Sequence, residues 1–126
     1  MLRVGYRNFG EHESLVINHT VRVSTRPFHP ITGVRWYEIR NPRGTPLVYQ
    51  QSTFSPDDNY RFLGSIAMDQ QGNIGLGCSF SISSLFPSLP YTRLRESHPL
   101  NPIYALYTIT HSPRSSPVPY PKRVFT

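Results

Sequence analysis

Acidic side chains are the first residues in this chain to consider for catalysis, because glycoside hydrolysis needs two carboxyl groups facing each other across a sugar. Glu11 and Glu13 stand two positions apart, a spacing that puts both on one face of a strand. Glu38 follows Tyr37, but neighbouring strand residues point to opposite faces. The aspartates lie in turn-like sequence. We therefore expect no competent glycosidase, with glutamates facing solvent and turns capped by Asp57, Asp58 and Asp69.

Metal and cofactor chemistry has little support in the sequence. The five histidines show no zinc-ligand spacing, and one cysteine excludes an internal disulfide. That residue, Cys78, falls on the apolar side of a predicted strand, so we expect a buried thiol. The run Asp57-Asp58-Asn59 offers oxygens but lacks the glycine turn of a calcium loop. We predict no metal site and no cofactor.

Aromatic residues are the best candidates for binding. On β-sheets such side chains either form the core or, when exposed, act as rigid platforms for sugars or proteins. Both alternatives stay open from the sequence. The candidate binding residues are Trp36, Tyr37, Tyr49, Tyr60 and Arg61.

The clearest element that positions these residues is a hairpin over residues 61–83. Its turn is predicted to be structural and is formed by Asp69, Gly72 and Asn73, with Gly72 supplying the positive φ. The second arm alternates with a period of two, which places Ile74, Leu76, Cys78 and Phe80 on one face. The other face carries Gly75 and Gly77. We expect a neighbouring sheet, a backbone segment or a ligand to lie close against these glycines.

The remaining strands follow the same alternation. Residues 6–10 and 14–24 are predicted strands, and a break in alternation near His19 and Thr20 predicts a bulge. Residues 33–40 and 47–54 form a second hairpin, and one more strand is expected around residues 90–94. The fold class is therefore all-β, built from antiparallel hairpins over residues 1–95. Residues 96–126 are predicted to be an irregular, proline-rich tail, with 103–110 as the last β-capable run.

Charge and hydropathy exclude several classes of function. The net charge is +6, but no cluster of Lys and Arg and no recognition helix occurs, so we expect no nucleic-acid partner. No apolar run of the length that spans a membrane is present. The N-terminal residues lack the apolar core of a signal peptide, so none is visible in this chain.

Four blocks of the sequence carry a resemblance to a known family. They read FGEHESLVINHTV, GVRWYEIRN, VYQQSTFSPDDNYRFLGSIAMDQQGNIGLGCSFS and PSLPYTR. Together they resemble a segment of the sialidase-like β-propeller found in large bacterial secreted or cell-surface proteins, over about residues 6–95. The resemblance implies one to two blades of a propeller and an extracellular or cell-surface location. Enzymes of the sialidase class use a tyrosine nucleophile and an arginine cluster, and here Arg7, Arg35 and Arg61 are the candidates for such a cluster.

A closed propeller has about four to eight blades of four strands, so a chain of this length leaves sheet edges unpaired. Open edges invite pairing with another chain, and we therefore expect self-association. The function expected from these observations is a non-enzymatic structural or binding module for a glycan or a protein surface. The alternative is a remnant of a sialidase-like glycoside hydrolase.

Overall fold

A computed structural model of the chain describes residues 3–24, 27–82 and 85–94. Within these ranges the protein is all-β, as predicted, and contains no helix. In particular, no helix in the described part of the chain could cross a membrane. The eight strands are β1 (Arg3–Asn8), β2 (Glu13–Arg22), β3 (Thr32–Arg40), β4 (Leu47–Phe54), β5 (Tyr60–Met68), β6 (Ile74–Ile82), β7 (Leu85–Ser88) and β8 (Tyr91–Leu94).

The first four strands form an antiparallel meander, sheet A, in the order β1-β2-β3-β4. The predicted bulge near His19 and Thr20 is wrong, because β2 pairs with β3 without a register shift along its length. The irregularity lies between β3 and β4, where Glu38 pairs with Gln50 and Ile39 pairs with Val48. Tyr49 is the extra residue of this bulge.

The later strands form sheet B around the predicted hairpin of β5 and β6. β7 and β8 both pair with β6 on the side away from β5, one after the other along its length. At the break between them, the Cys78 N–H donates to the Pro90 carbonyl at 3.1 Å. Proline has no N–H to offer a neighbouring strand, which suits an edge position.

The two sheets bury their core between them, with β5 packed across β1, β2 and β3. Removing these apolar side chains from water is the main stabilising contribution of the interface. The alternation predicted for β3 and β6 is confirmed in their central parts, where every second residue is buried, while Phe80 at the end of β6 is only partly buried. The buried apolar residues are Val16, Val34, Trp36, Phe54, Ile66, Ile74, Leu76 and Cys78.

Glu38 is buried rather than solvated, which corrects the expectation for the glutamates. Its carboxylate accepts hydrogen bonds from Ser14 Oγ at 2.9 Å, Arg40 Nε at 3.1 Å and Gln50 Nε2 at 2.6 Å. A buried carboxylate is tolerated when donors and a cation compensate its lost hydration. Glu38 therefore ties three strands of sheet A together at one end of the core.

The close approach expected over Gly75 and Gly77 occurs at a different glycine. A Cβ on Gly75 would meet nothing within 4 Å, and one on Gly77 would meet only the Pro90 carbonyl, at 4.0 Å. By contrast, a Cβ on Gly64 would collide with Asn18 Nδ2 and with Val34 Cγ1. Gly64 is thus the position where sheet B must approach sheet A closely.

Some predictions fall outside the described residues. The domain boundary after residue 95 and the tail over residues 96–126, including 103–110, lie there, and they stay predictions.

Candidate functional site

Every second residue of sheet A points away from sheet B, and these residues make a surface that we call the outer face. Cross-strand partners in an antiparallel sheet share a face, so the strand register defines its members. In the described part of the chain no strand of sheet B covers this face. Its members are Val4, Tyr6, Asn8, Glu13, Leu15, Ile17, His19, Val21, Gly33, Arg35, Tyr37, Ile39, Val48, Gln51 and Thr53.

The middle of the outer face is apolar and crosses all four strands in two parallel rows. One row runs Tyr6, Leu15, Ile39, Val48, and the other runs Val4, Ile17, Tyr37, Gln51. The residues at the sheet edges are the most exposed: Val4 is 55% and Val48 52% accessible. Apart from Gln51, the two rows consist of aliphatic and aromatic residues, and they form one continuous, partly exposed surface.

A polar and aromatic network borders these rows at one end. The guanidinium of Arg35 donates to Gln51 Oε1 at 2.7 Å and to Thr53 Oγ1 at 3.0 Å, and lies 5.3 Å from the centre of the Tyr37 ring. The rings of Tyr37 and His19 stack, with centroids 5.8 Å apart. These contacts hold Tyr37 in a fixed orientation, as a rigid binding surface requires.

A second polar group lies at the other end of the outer face. The Tyr6 hydroxyl donates to Glu13 Oε1 at 2.7 Å, and Arg43 Nη2 donates to the Tyr6 hydroxyl at 2.6 Å. Arg43 also contacts Glu13 Oε1 at 2.8 Å. The hydrogen bond with Tyr6 and the charge of Glu13 raise the pKa of Arg43. Glu11 lies outside this group, in the turn before β2.

Two of the candidate binding residues, Trp36 and Arg61, are buried and therefore cannot serve as an exposed binding platform. Trp36 is 2% accessible and belongs to the core, the other alternative for an aromatic residue on a sheet. Arg61 is 3% accessible and lies between the rings of Phe54 and Phe80. It donates to both carboxylate oxygens of Asp57, at 2.6 and 2.8 Å.

The ion pair between Arg61 and Asp57 also decides two other predictions. The pKa of Asp57 is lowered to about 2, mainly by its hydrogen bond from Arg61. Its carboxylate caps the following turn as predicted, by accepting from the Asn59 N–H at 2.9 Å. Both oxygens of Asp57 thus take part in structural hydrogen bonds. Since Arg35 belongs to the outer face and Arg61 to the core, the arginine cluster does not form.

The predicted tyrosines are spread over three places. Tyr37 lies on the outer face, as described above. Tyr49 lies under the guanidinium of Arg40, 3.3 Å from its ring centre. Tyr60 opens β5 opposite Ser81. The structure therefore does not gather the predicted binding residues into one site.

The binding residues predicted from the sequence did not include three members of the outer face, Tyr6, His19 and Gln51, or the adjacent loop residue Arg43. Alternation assigns each of the first three to a face of its own strand, but only the strand register shows that this is the face of Tyr37. Arg43 has no such assignment. It reaches the site from the loop between β3 and β4, and loop conformation is not encoded by alternation.

The predicted structural turn is confirmed in detail. Asp69 Oδ1 accepts from the N–H groups of Gln71 and Asn73, both at 2.9 Å, and Asp69 Oδ2 accepts from Asn73 Nδ2 at 2.7 Å. These bonds, led by that of Asn73, lower the pKa of Asp69. Gly72 has a φ of 84°, the left-handed conformation that glycine adopts readily.

Sites for other chemistry are not evident in the described residues. No group of three or more His, Cys, Asp or Glu there could hold a metal ion. Cys78 is buried, and loss of hydration raises the pKa of its thiol to about 11, which disfavours the reactive thiolate. An open depression of about 320 Å³ on sheet B is lined by Ala67, Gly75, Tyr91 and Arg93 among others.

Comparison with protein-family models, with curated proteins and with solved structures finds no match to this chain.

Proposed function

We propose that this chain is a non-enzymatic binding module that holds a partner against the outer face of sheet A. The observation that carries the proposal is the pair of apolar rows across four strands, uncovered within the described residues and bordered by charged and polar groups. Large exposed apolar patches on a folded domain generally mark interaction sites.

A protein surface fits this face better than a glycan. Interfaces between proteins have an apolar centre with aromatic residues and a polar rim, and the rows with their two polar ends match this pattern. Arg35 and Arg43 sit at the rim, where arginine is enriched in such interfaces. A glycan would use exposed aromatic rings, and of the two tyrosines on this face Tyr6 is exposed whereas Tyr37 is half-buried.

We also propose that the two sheets correspond to two blades of a sialidase-like propeller. Support comes from the four-stranded meander of sheet A and from the face-to-face packing of sheets A and B, both of which a propeller requires. Sheet B departs from the pattern, because β7 and β8 share one side of β6 instead of adding two successive strands. In a complete propeller the outer face would contact a neighbouring blade.

Site-specific photocrosslinking tests the binding proposal. A benzophenone amino acid replaces Tyr37 on the outer face, and in a matched control it replaces Phe28, an exposed loop residue 88% accessible. Both proteins are irradiated in an extract of the organism that encodes the chain. We expect a discrete crosslinked protein from the Tyr37 position alone. Identical products from both positions, or none from either, would contradict the proposal.

Binding of the chain to a panel of immobilised oligosaccharides distinguishes a glycan partner from a protein partner. We expect the full chain not to bind it. Binding that is lost in Tyr37→Ala and retained in Tyr91→Ala would instead assign a glycan to the outer face, because Tyr91 is an exposed tyrosine of sheet B.

The pairing of Tyr6 with Glu13 supports a second candidate, a remnant of a sialidase-like enzyme. A tyrosine nucleophile needs a neighbouring base to take its proton, and Glu13 Oε1 accepts the Tyr6 hydroxyl at 2.7 Å. A general acid close to this pair is not evident: Glu38 is saturated with donors, and Asp57 is held by Arg61. Because a general acid near Tyr6 and Glu13 is not evident, binding is the preferred proposal.

Hydrolysis of fluorogenic glycosides, including that of N-acetylneuraminic acid, tests this second candidate on the full chain. Turnover that disappears in Tyr6→Phe and in Glu13→Gln, and survives in Glu11→Gln, would establish the enzyme. We expect no turnover by any of the four proteins.

A further inference from the structure

The unpaired outer edge of β4 differs from the other edges of the two sheets. Within the described residues β4 pairs only with β3, so one row of its backbone N–H and C=O groups has no strand partner. Such an edge is a template for another strand, and proteins usually protect it with charges, prolines, bulges or short length. β4 has eight residues, and its sequence LVYQQSTF contains neither a charged residue nor a proline.

Each of the other edges carries at least one of these protections, whereas β4 has only a bulge near one end. β1 is six residues long and contains Arg3 and Arg7. β5 has a register irregularity between Phe62 and Ser65, and Leu63 there has a φ of 52°. The edge made by β7 and β8 is interrupted between the two strands and contains Pro87. The bulge at Tyr49 disturbs one end of β4 but leaves residues 50–54 regular.

The side chains of β4 also leave its outer edge uncovered. Gln50 donates back to Glu38, while Gln51 and Thr53 both accept from Arg35. All three side chains therefore lean over β3, away from the open row of backbone groups. Held in this way, they cannot fold over the edge to shield it.

We propose that this edge pairs antiparallel with the same edge of a second copy of this chain, which joins the two copies of sheet A into one continuous sheet. A second copy fits because the edge is uncharged, so the pairing brings no like charges of the two strands together. A two-fold axis makes the contact self-complementary. The arrangement that uses all of residues 50–54 places Ser52 of the two copies opposite each other. The proposal is independent of the function proposed for the outer face.

Charge substitutions at opposite ends of one cross-strand row test the proposal. Gln51 on β4 and Val4 on β1 are the ends of the row that includes Ile17 and Tyr37. Gln51→Lys and Gln51→Glu each place like charges about 7–8 Å apart, diagonally across the new pairing. Sedimentation equilibrium of the full chain measures the dimer Kd. We expect it to rise at least about tenfold in both Gln51 variants and to stay within about twofold in Val4→Lys.

The two Gln51 variants also serve as controls for each other in folding and in charge pairing. Gln51→Glu retains an acceptor for Arg35, so it guards against loss of folding in Gln51→Lys, and a thermal melt verifies both. An equimolar mixture of the two is expected to associate as tightly as the wild type, because unlike charges then meet. Equal weakening by Val4→Lys would place the contact on the outer face and overturn the proposal. A chain that stays monomeric at every concentration would overturn it as well.

Discussion

Trp36 and Tyr37 are neighbours in β3, yet they belong to two different regions of the molecule. Trp36 points into the core, where it is 2% accessible, and Tyr37 points to the outer face, where it stacks on His19 and receives Arg35. The alternation of a strand makes this division unavoidable. The same strands therefore hold the fold together with one set of residues and present the proposed binding surface with the other.

The polar groups of the core side and those of the outer face differ in whether a ligand can reach them. On the core side the Glu38 carboxylate accepts three hydrogen bonds and Asp57 holds the terminal nitrogens of Arg61, so these groups are not available to a ligand. On the outer face Tyr6, Arg35 and Arg43 are also paired, but they remain accessible at the rim of an apolar surface. Burial thus separates structural polar residues from candidate binding residues more reliably than residue type does.

The largest expected contrast between the two regions is in stability. Trp36→Ala removes the largest core side chain, and we expect the free energy of unfolding to fall by about 3–5 kcal/mol. Tyr37→Ala removes a partly exposed ring, and we expect a loss of about 1 kcal/mol or less. Urea denaturation of both variants measures the difference. Equal losses would mean that the outer face is buried too.

A smaller difference in stability is expected between alanine substitutions of two glycines in sheet B. Gly64→Ala forces a methyl group against Asn18 and Val34 in the core, and we expect a loss of about 1–3 kcal/mol. Gly75→Ala adds the same methyl group where nothing lies within 4 Å, and we expect no loss, since alanine restricts the unfolded chain. Thermal unfolding of the pair checks this, and a stable Gly64→Ala protein would contradict the close packing of the sheets at that point.

Strand alternation made much of this architecture predictable. It correctly assigned Trp36 and Glu38 to one side of β3 and Cys78 to the apolar side of β6, and turn chemistry located Asp69 and Gly72. The burial of the Glu38 carboxylate was not predictable. Its hydrogen-bond donors are Ser14, Arg40 and Gln50, and two of them, Ser14 and Gln50, lie on other strands. The same holds for Gly64, whose neighbours Asn18 and Val34 lie in the opposite sheet.

The candidate site was less predictable than the fold. Tyr37 was singled out from the sequence, but its contacts with His19, Arg35 and Gln51 depend on the register of three strands. Register and the position of a bulge follow from packing between strands, which a single strand pattern does not contain. Trp36 and Arg61 were grouped with Tyr37 by residue type alone, and their burial separates them from it.

The smallest expected effect concerns the ion pair between Asp57 and Arg61. The pKa of Asp57 is about 2 in the folded protein, below the ordinary 3.8, so its stabilising contribution is complete above about pH 4 and is lost as the pH falls towards 2. Its side chain is 44% exposed, and with solvent screening we expect about 1 kcal/mol. The free energies of unfolding of wild type and Asp57→Asn in urea should differ by this amount at pH 6, and the difference should disappear as the pH falls through about 2. A difference that does not depend on pH would contradict the assignment.

Hydroxyl-radical footprinting of the full chain, read by mass spectrometry, tests the contrast between the two faces most directly. Measured at a protein concentration below the dimer Kd, it reports how far water reaches each side chain. We predict that Tyr6 and Tyr37 are oxidised readily while Trp36 is protected until the protein unfolds, although tryptophan is intrinsically reactive. Protection of Tyr6 and Tyr37 to the same degree as Trp36 would show that the outer face is already covered, and would contradict its proposed role in binding.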